Sequence, residues 1–191
     1  MPFIRECIVT TVDDGGNVHV APMGIHEDEN RFIILPFKPS ITLDNLEKQG
    51  TATLNYTDDV RVYAGCLTSH NDWPTRDTTI IQGARLENCL AHTELEVIRK
   101  TDDIVRPEYL CKSVYEATHA PFHGYNRAQS AVVELAILVS RLHILNEEKV
   151  NREIKYLKTS VEKTAGPREQ EAWRWLMLKV ASFRESKKES L

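Results

Sequence analysis

The first 56 residues hold four strand-like runs and room for a single helix. That spacing constrains the fold more than any motif does. "ECIVTTV" (6–12) is rich in β-branched residues and runs into "DDGGN", a strong turn signal. "VHVAPMGI" (18–25) reads as its hairpin partner. Pro22 inside that run requires an edge or a bulge, because proline cannot donate to a ladder. "RFIILPF" (31–37) is a continuous apolar run, as expected of a strand covered on both faces. "TATLNY" (51–56) alternates, with Ala52, Leu54 and Tyr56 on one face and Thr51, Thr53 and Asn55 on the other. Between these two lies "TLDNLEKQG", a short helix that Gly50 ends as its C′ glycine. A doubly wound sheet needs a helix after nearly every strand. About six strands in the first ~100 residues, joined by short connections, predict a small barrel instead.

The chain then changes character. "DDVRVYAGCLTSH" predicts a helix capped by Asp58, "NDWPTRDTT" a loop, and "IIQGARLENCLAHTELEVIRK" a return to strand with a break near His92 and Thr93. Further helices are predicted to begin at Pro107, Arg127, Glu147 and Pro167, the two prolines standing where a first helical turn tolerates them. Val150, Ile154, Leu157 and Val161 form one apolar stripe, and Trp173, Leu176, Met177, Val180 and Phe183 form another. The tail "RESKKESL" reads as a charged, frayed end. The expected organisation is α+β: a β-barrel over residues 1–103, then a C-terminal helical region, 104–191, packed on it, with the boundary at "KTDDIVRP".

Several function classes fall away on composition. The net charge of −4 gives no electrostatic footprint for nucleic acid. No run approaches the ~18 apolar residues of a membrane span. "MPFIRECIVTT" lacks the basic flank and apolar stretch of a signal peptide, so a cytoplasmic protein is expected. The four cysteines, Cys7, Cys66, Cys89 and Cys111, form no CxxC pair and read as reduced thiols, Cys7 and Cys89 within strand-like segments. There is no HExxH, P-loop, GxGxxG or GxSxG. His119 and His123 are four apart, but Pro121 and Gly124 around them argue against a helical metal pair, and no metal is expected.

Three stretches could carry chemistry. In "KPSITLDNL", Ser40 and Thr42 can cap the following helix, whose first amides lack partners and carry the positive end of the dipole. The same groups, with Lys38, could cradle a phosphate, so a self-capped helix and an anion site both remain open. In "VAPMGI" a proline and a glycine interrupt a strand, which fits a plain edge kink or close approach by a planar ligand. In "YNRAQSAVVELAILVSRLHI", Arg127, Glu134 and Arg141 recur every seven residues, as a solvated face, an ion-paired network or an anion contact.

Taken in order, "APMGI", "PFKPSITLDNL", "LNYTDD" and "YNRAQSAVVELAILVSRLHI" resemble the flavin-binding split-barrel proteins of domain-of-unknown-function family 447. The likeness spans almost the whole chain. It implies FMN bound in a split β-barrel, commonly in a homodimer with the site at the subunit interface. It places the FMN phosphate at Ser40, Thr42 and Asn45, and the ring along Pro22, Met23 and Gly24 and along Pro36, Phe37 and Lys38. Asn126 and Arg127 match the family's Asn-Arg pair and could complete the phosphate end from the other subunit. The expected function is an FMN-dependent oxidoreductase acting on a small molecule. A non-enzymatic FMN-binding or electron-carrier protein and a flavin-free interaction module are the alternatives. Flavin chemistry belongs to the cofactor, which accounts for the lack of a legible acid–base pair.

Overall fold

Asp13 builds the first turn. Its carboxylate accepts the backbone N–H groups of Gly15 and Asn17, both at 2.8 Å, and the Asn17 side-chain amide at 2.9 Å. Gly16 takes φ 80°, a left-handed conformation open to glycine. The turn sets β1 (Phe3–Val12) against β2 (Val18–Asp28) in unbroken register, with Pro22 opposite Ile8. There is no bulge at Pro22. β2 meets β3 (Arg31–Ile34) only at His26–Asp28, so among the described residues Pro22 faces no second strand partner. The edge alternative therefore holds. The computed structural model describes residues 3–28 and 31–189.

After β3 come α1 (Ile41–Gln49), β4 (Thr51–Tyr56), α2 (Arg61–Thr68), a ribbon of β5 (Thr75–Asp77) with β6 (Ala84–Leu86), β7 (Ala91–Thr101) and β8 (Glu108–Thr118). Three helices follow: α3 (Arg127–Ser140), α4 (Glu147–Thr164) and α5 (Pro167–Glu189). Six strands close a barrel in the order β1-β2-β3-β8-β7-β4. Cys7, Val9, Ile34, Leu54, Leu95 and Tyr109 belong to its apolar interior.

The helix expected at Pro107 is a strand. Its helix formers are overridden by pairing on both edges, β8 lying between β3 and β7, with Tyr109 and Cys111 buried on alternate positions. Without β8 the barrel could not close, so it extends past residue 103 and the helices begin at Arg127. The chain divides into two compact units. One takes the residues up to Thr57 with Trp73–Phe122; the other takes Asp58–Asp72 with His123–Leu191. The α2 excursion joins the helical unit through Arg61, which pairs with Asp59 at 2.6 Å and Glu171 at 3.3 Å, and through His70, which stacks on Trp175 at 4.0 Å.

Smaller differences have local causes. Val60, not Asp58, is the α2 N-cap, and Asp59 accepts the Arg61 amide instead. The loop expected over "NDWPTRDTT" contains β5, held by its pairing with β6. The break in the following strand precedes Ala91, so His92 and Thr93 lie inside β7 and Cys89 lies outside any strand. β3 alternates rather than being covered on both faces, with Phe32 and Ile34 buried and Arg31 exposed. Residues 184–189 continue α5, while Ser190 and Leu191 lie outside the described residues. In β4 the two faces divide as the alternation predicts. Ala52 and Leu54 enter the core, while Asn55 donates to the carbonyls of Ile8 and Thr53 and accepts the Leu86 amide, fastening β6.

Candidate functional site

Ser40 caps α1. Its backbone is extended, at φ −159° and ψ 150°, and its Oγ accepts the Leu43 amide at 3.2 Å. A hydroxyl that accepts one bond still has its O–H to donate. The Asp44 amide is taken by the Ser40 carbonyl, while those of Ile41 and Thr42 have no intrahelical acceptor. Gly50 ends the helix in the left-handed region at φ 65°. The cap and an anion site therefore use different atoms of the same residues.

The loop before α1 is clamped from the β7–β8 connection. The Lys38 amide donates to the Val105 carbonyl at 2.9 Å, and its Nζ donates to the Asp103 carbonyl at 2.8 Å. An ammonium has three donors, so two remain. Asp103 accepts the amides of Arg106 and Val105, and these bonds hold its carboxyl below the usual range. Arg106 donates to the Leu35 carbonyl and lies 4.4 Å over the Phe37 ring. Sequence reading missed Arg106, which holds Phe37 in place from 69 positions away along the chain (106 − 37).

The expected site residues fall into four sets. Phe37, Lys38 and Ser40 reach the surface of this clamped loop, with Phe37 and Lys38 exposed and Ser40 half-buried. Thr42 and Asn45 are buried on the inner side of α1, and the Asn45 amide donates to Thr11 Oγ1 at 3.0 Å. On β2, Met23 packs against the barrel core. Strand alternation puts Pro22 and Gly24 on the opposite face. A Cβ at Gly24 would come within 3.0 Å of Ile4 and 3.2 Å of Glu6, so that position is tight for any side chain. Asn126 and Arg127 lie in the helical unit. Asn126 caps α3, and Arg127, Glu134 and Arg141 are all exposed. The seven-residue stripe is a solvated face.

The cysteines offer no nucleophile here. All four are free thiols, and burial pushes Cys7 and Cys111 up to about 12 and Cys66 up to about 11. Among the described residues, no three potential metal ligands converge, and no helix is long and apolar enough to cross a membrane.

A second polar cluster escaped sequence reading. His119 does not pair with His123; its Nε2 lies 2.8 Å from Nδ1 of buried His92. His92 Nε2 lies 3.3 Å from Oε1 of Glu94, which is fully buried. The signal was "HTE" in a strand, since positions i and i+2 share a face. The third partner comes from 27 positions downstream, so no local pattern could show it.

Two family descriptions match the chain. The N-terminal domain of the protein of unknown function DUF447 covers residues 5–120, and the DUF447 description that follows it covers 126–178. The chain belongs to the DUF447 family. No curated protein matches this DUF447 chain. An FMN-bound DUF447 protein of Methanosarcina mazei is similar over 94% of this chain and 96% of its own, at 20% identity and a TM-score of 0.79. The 2-nitrobenzoate 2-nitroreductase of Pseudomonas fluorescens is similar over 62% of this chain and 66% of its own, at 16% identity and a TM-score of 0.53. The flavin reductase of styrene monooxygenase from Pseudomonas putida S12 is similar over 62% and 81%, at 11% identity and a TM-score of 0.51. At these identities the likeness is one of fold, and the Methanosarcina mazei protein shares it over the six-stranded barrel and the helices that follow.

Proposed function

We propose that this DUF447 protein binds FMN and works as an FMN-dependent oxidoreductase on a small molecule. The phosphate would sit at the N-terminus of α1, held by the Ser40 hydroxyl, the first amides of the helix and Lys38. The ring would lie along the Pro22–Gly24 face of β2 and against Phe37. The observation that carries this is the half-open cap. Ser40 satisfies one amide and keeps its own proton for an anion, on a loop whose lysine still has donors. Thr42 and Asn45 support the site from behind by anchoring α1 to the barrel. The FMN-bound Methanosarcina mazei protein supports the choice of flavin.

Bound FMN supplies the hydride and electron chemistry. The chain's own part is to hold the phosphate, present the ring and keep the loop rigid through Arg106 and Asp103. A homodimer would let exposed Arg127 of a second copy add a cation to the phosphate end. The four free thiols fit a reducing cytoplasm.

The test is an absorbance spectrum of the protein as purified, mass identification of any chromophore, and titration with FMN. A flavin spectrum, or tight uptake of added FMN, is expected, and NADH or NADPH should bleach it if the protein is an enzyme. A colourless protein that takes up no FMN would overturn the reading.

A further inference from the structure

A cavity of about 510 Å³ opens beside the β5–β6 ribbon, and the flavin reading uses none of it. Arg85, Tyr115 and His119 are among its walls. Within one chain it lies at the far end of β8 from the α1 loop. Lys38 bonds to Val105, just before that strand, and His119 follows its last residue. The eleven residues of β8, at about 3.3 Å of rise each, lie between the two along the chain.

The protons of the cluster behind this cavity can be placed by chemistry. Glu94 accepts the backbone N–H groups of Thr79, Ile80 and Ile81 at 2.5, 2.8 and 3.0 Å. Burial works to raise its carboxyl, but those three bonds and the one from His92 together hold it below the usual value. An ionised carboxylate only accepts, so His92 Nε2 carries a proton toward it. With that single proton on His92, its Nδ1 is bare and accepts from His119 Nε2–H. That leaves Nδ1 of His119 as the unprotonated nitrogen of the terminal, exposed ring. One buried carboxylate thus sets the tautomers of two imidazoles in series.

The cavity wall also favours an anion. Nη1 of Arg85 is fixed on the carbonyls of Leu86 and Glu87 at 2.9 and 3.2 Å, and among the described residues this guanidinium has no carboxylate partner. Arg76 of the same lining is paired with Glu87, and Asp77 from β5 is the carboxylate that opposes them. His119 is held below the ordinary histidine value by burial and then by Arg85, so it meets a ligand at neutral pH as a base.

We propose that this cavity binds a small organic acid, its anionic group on Arg85, and that His119 exchanges a proton with it through the Glu94–His92–His119 chain. A proton leaves the bound molecule for Nδ1 of His119, and the electron pair of the broken bond stays on that molecule. The Nε2 proton of His119 passes to Nδ1 of His92, and the imidazolium formed rests against the Glu94 carboxylate. Charge is conserved and no oxidant is required. Tyr115, tilted against the His92 ring at 5.8 Å, completes the ionisable groups facing the pair.

The test uses the full chain with 15N-labelled histidine, read by long-range 1H–15N correlation at neutral pH. Both rings should show the Nε2–H tautomer. Malonate, against a sodium chloride control of equal ionic strength, should shift the His119 nitrogens saturably. Arg85→Gln should weaken that response about tenfold, the size expected for losing one charged hydrogen bond. His119→Gln, at an exposed position, should keep the fold and abolish the response at His92. A proton on Nδ1 of His92, no saturable shift, or an equal response in Arg85→Gln would overturn the proposal. So would stoichiometric zinc uptake on the two rings, which would make the pair a metal site. These signals report the cavity alone, so their failure would leave the flavin reading standing.

Discussion

The N-termini of α1 and α3 begin alike and end in different hands. Each has an extended capping residue, Ser40 or Asn126, and each carries the same helix dipole. Ser40 takes one amide and leaves the first two of α1 to whatever approaches. Asn126 takes the amides of Ala128 at 2.8 Å and Gln129 at 3.3 Å, and its own amide donates to the Thr164 carbonyl at 3.0 Å. Thr164 Oγ1 accepts the Ala128 amide as well, at 3.1 Å. The chain itself fills the α3 end and fastens it to α4. A helix N-terminus is an anion site only where its donors are not already spent.

The largest expected effect is therefore structural, at the filled end. Asn126→Ala removes four hydrogen bonds at once and should cost about 2 kcal/mol, the upper range for a cap. Amide exchange at Ala128 and Gln129 should speed up, and FMN affinity should stay within about twofold. A variant of normal stability with lost FMN affinity would place Asn126 on the ligand instead.

At the half-open end, capping and anion binding can be separated by one change. Asp caps a helix as well as Ser does, so Ser40→Asp should leave the denaturation midpoint nearly unchanged. The same carboxylate would repel a phosphate, and FMN affinity should fall tenfold or more, about 1.4 kcal/mol. Normal FMN binding by Ser40→Asp would move the phosphate away from α1. Ser40→Ala should lose about 1 kcal/mol of stability and some affinity, so it cannot separate the two roles.

What the sequence made legible was local. The Asp13–Asn17 turn, the Ser40 cap, the Gly50 stop and the two-faced β4 each depend on a few adjacent residues whose chemistry admits one conformation. What it concealed was decided by distant partners. "EYLCKSVYEAT" follows a proline and is rich in helix formers, yet β3 and β7 claim both its edges. Its alternation of buried Tyr109 and Cys111 with less buried neighbours was present but outweighed. The Arg106–Phe37 stack and the His92–His119 pair join residues far apart in the chain, and the amides on Glu94 come from a loop 13 to 15 positions before it. Residue identity suggested the phosphate loop; only the fold separated its outward members, Lys38 and Ser40, from inward Thr42 and Asn45.

Two cations give the smallest effects and sharpen the contrast most. Lys38→Gln keeps the loop's backbone bond to Val105 but removes the charge, so FMN affinity should drop about threefold, and less at high salt, where an exposed charge is screened. Arg127 stands on the solvated face of α3, so Arg127→Ala should change stability by no more than about 0.5 kcal/mol. With the helix end beside it already closed by Asn126, any function of Arg127 must come from its own guanidinium. A two- to threefold loss of FMN affinity, present in the dimer and absent in dilute monomer, would identify it as the partner's contribution to the phosphate end. An unchanged affinity at every protein concentration would remove the helical unit from the flavin site and leave α1 to hold the phosphate alone.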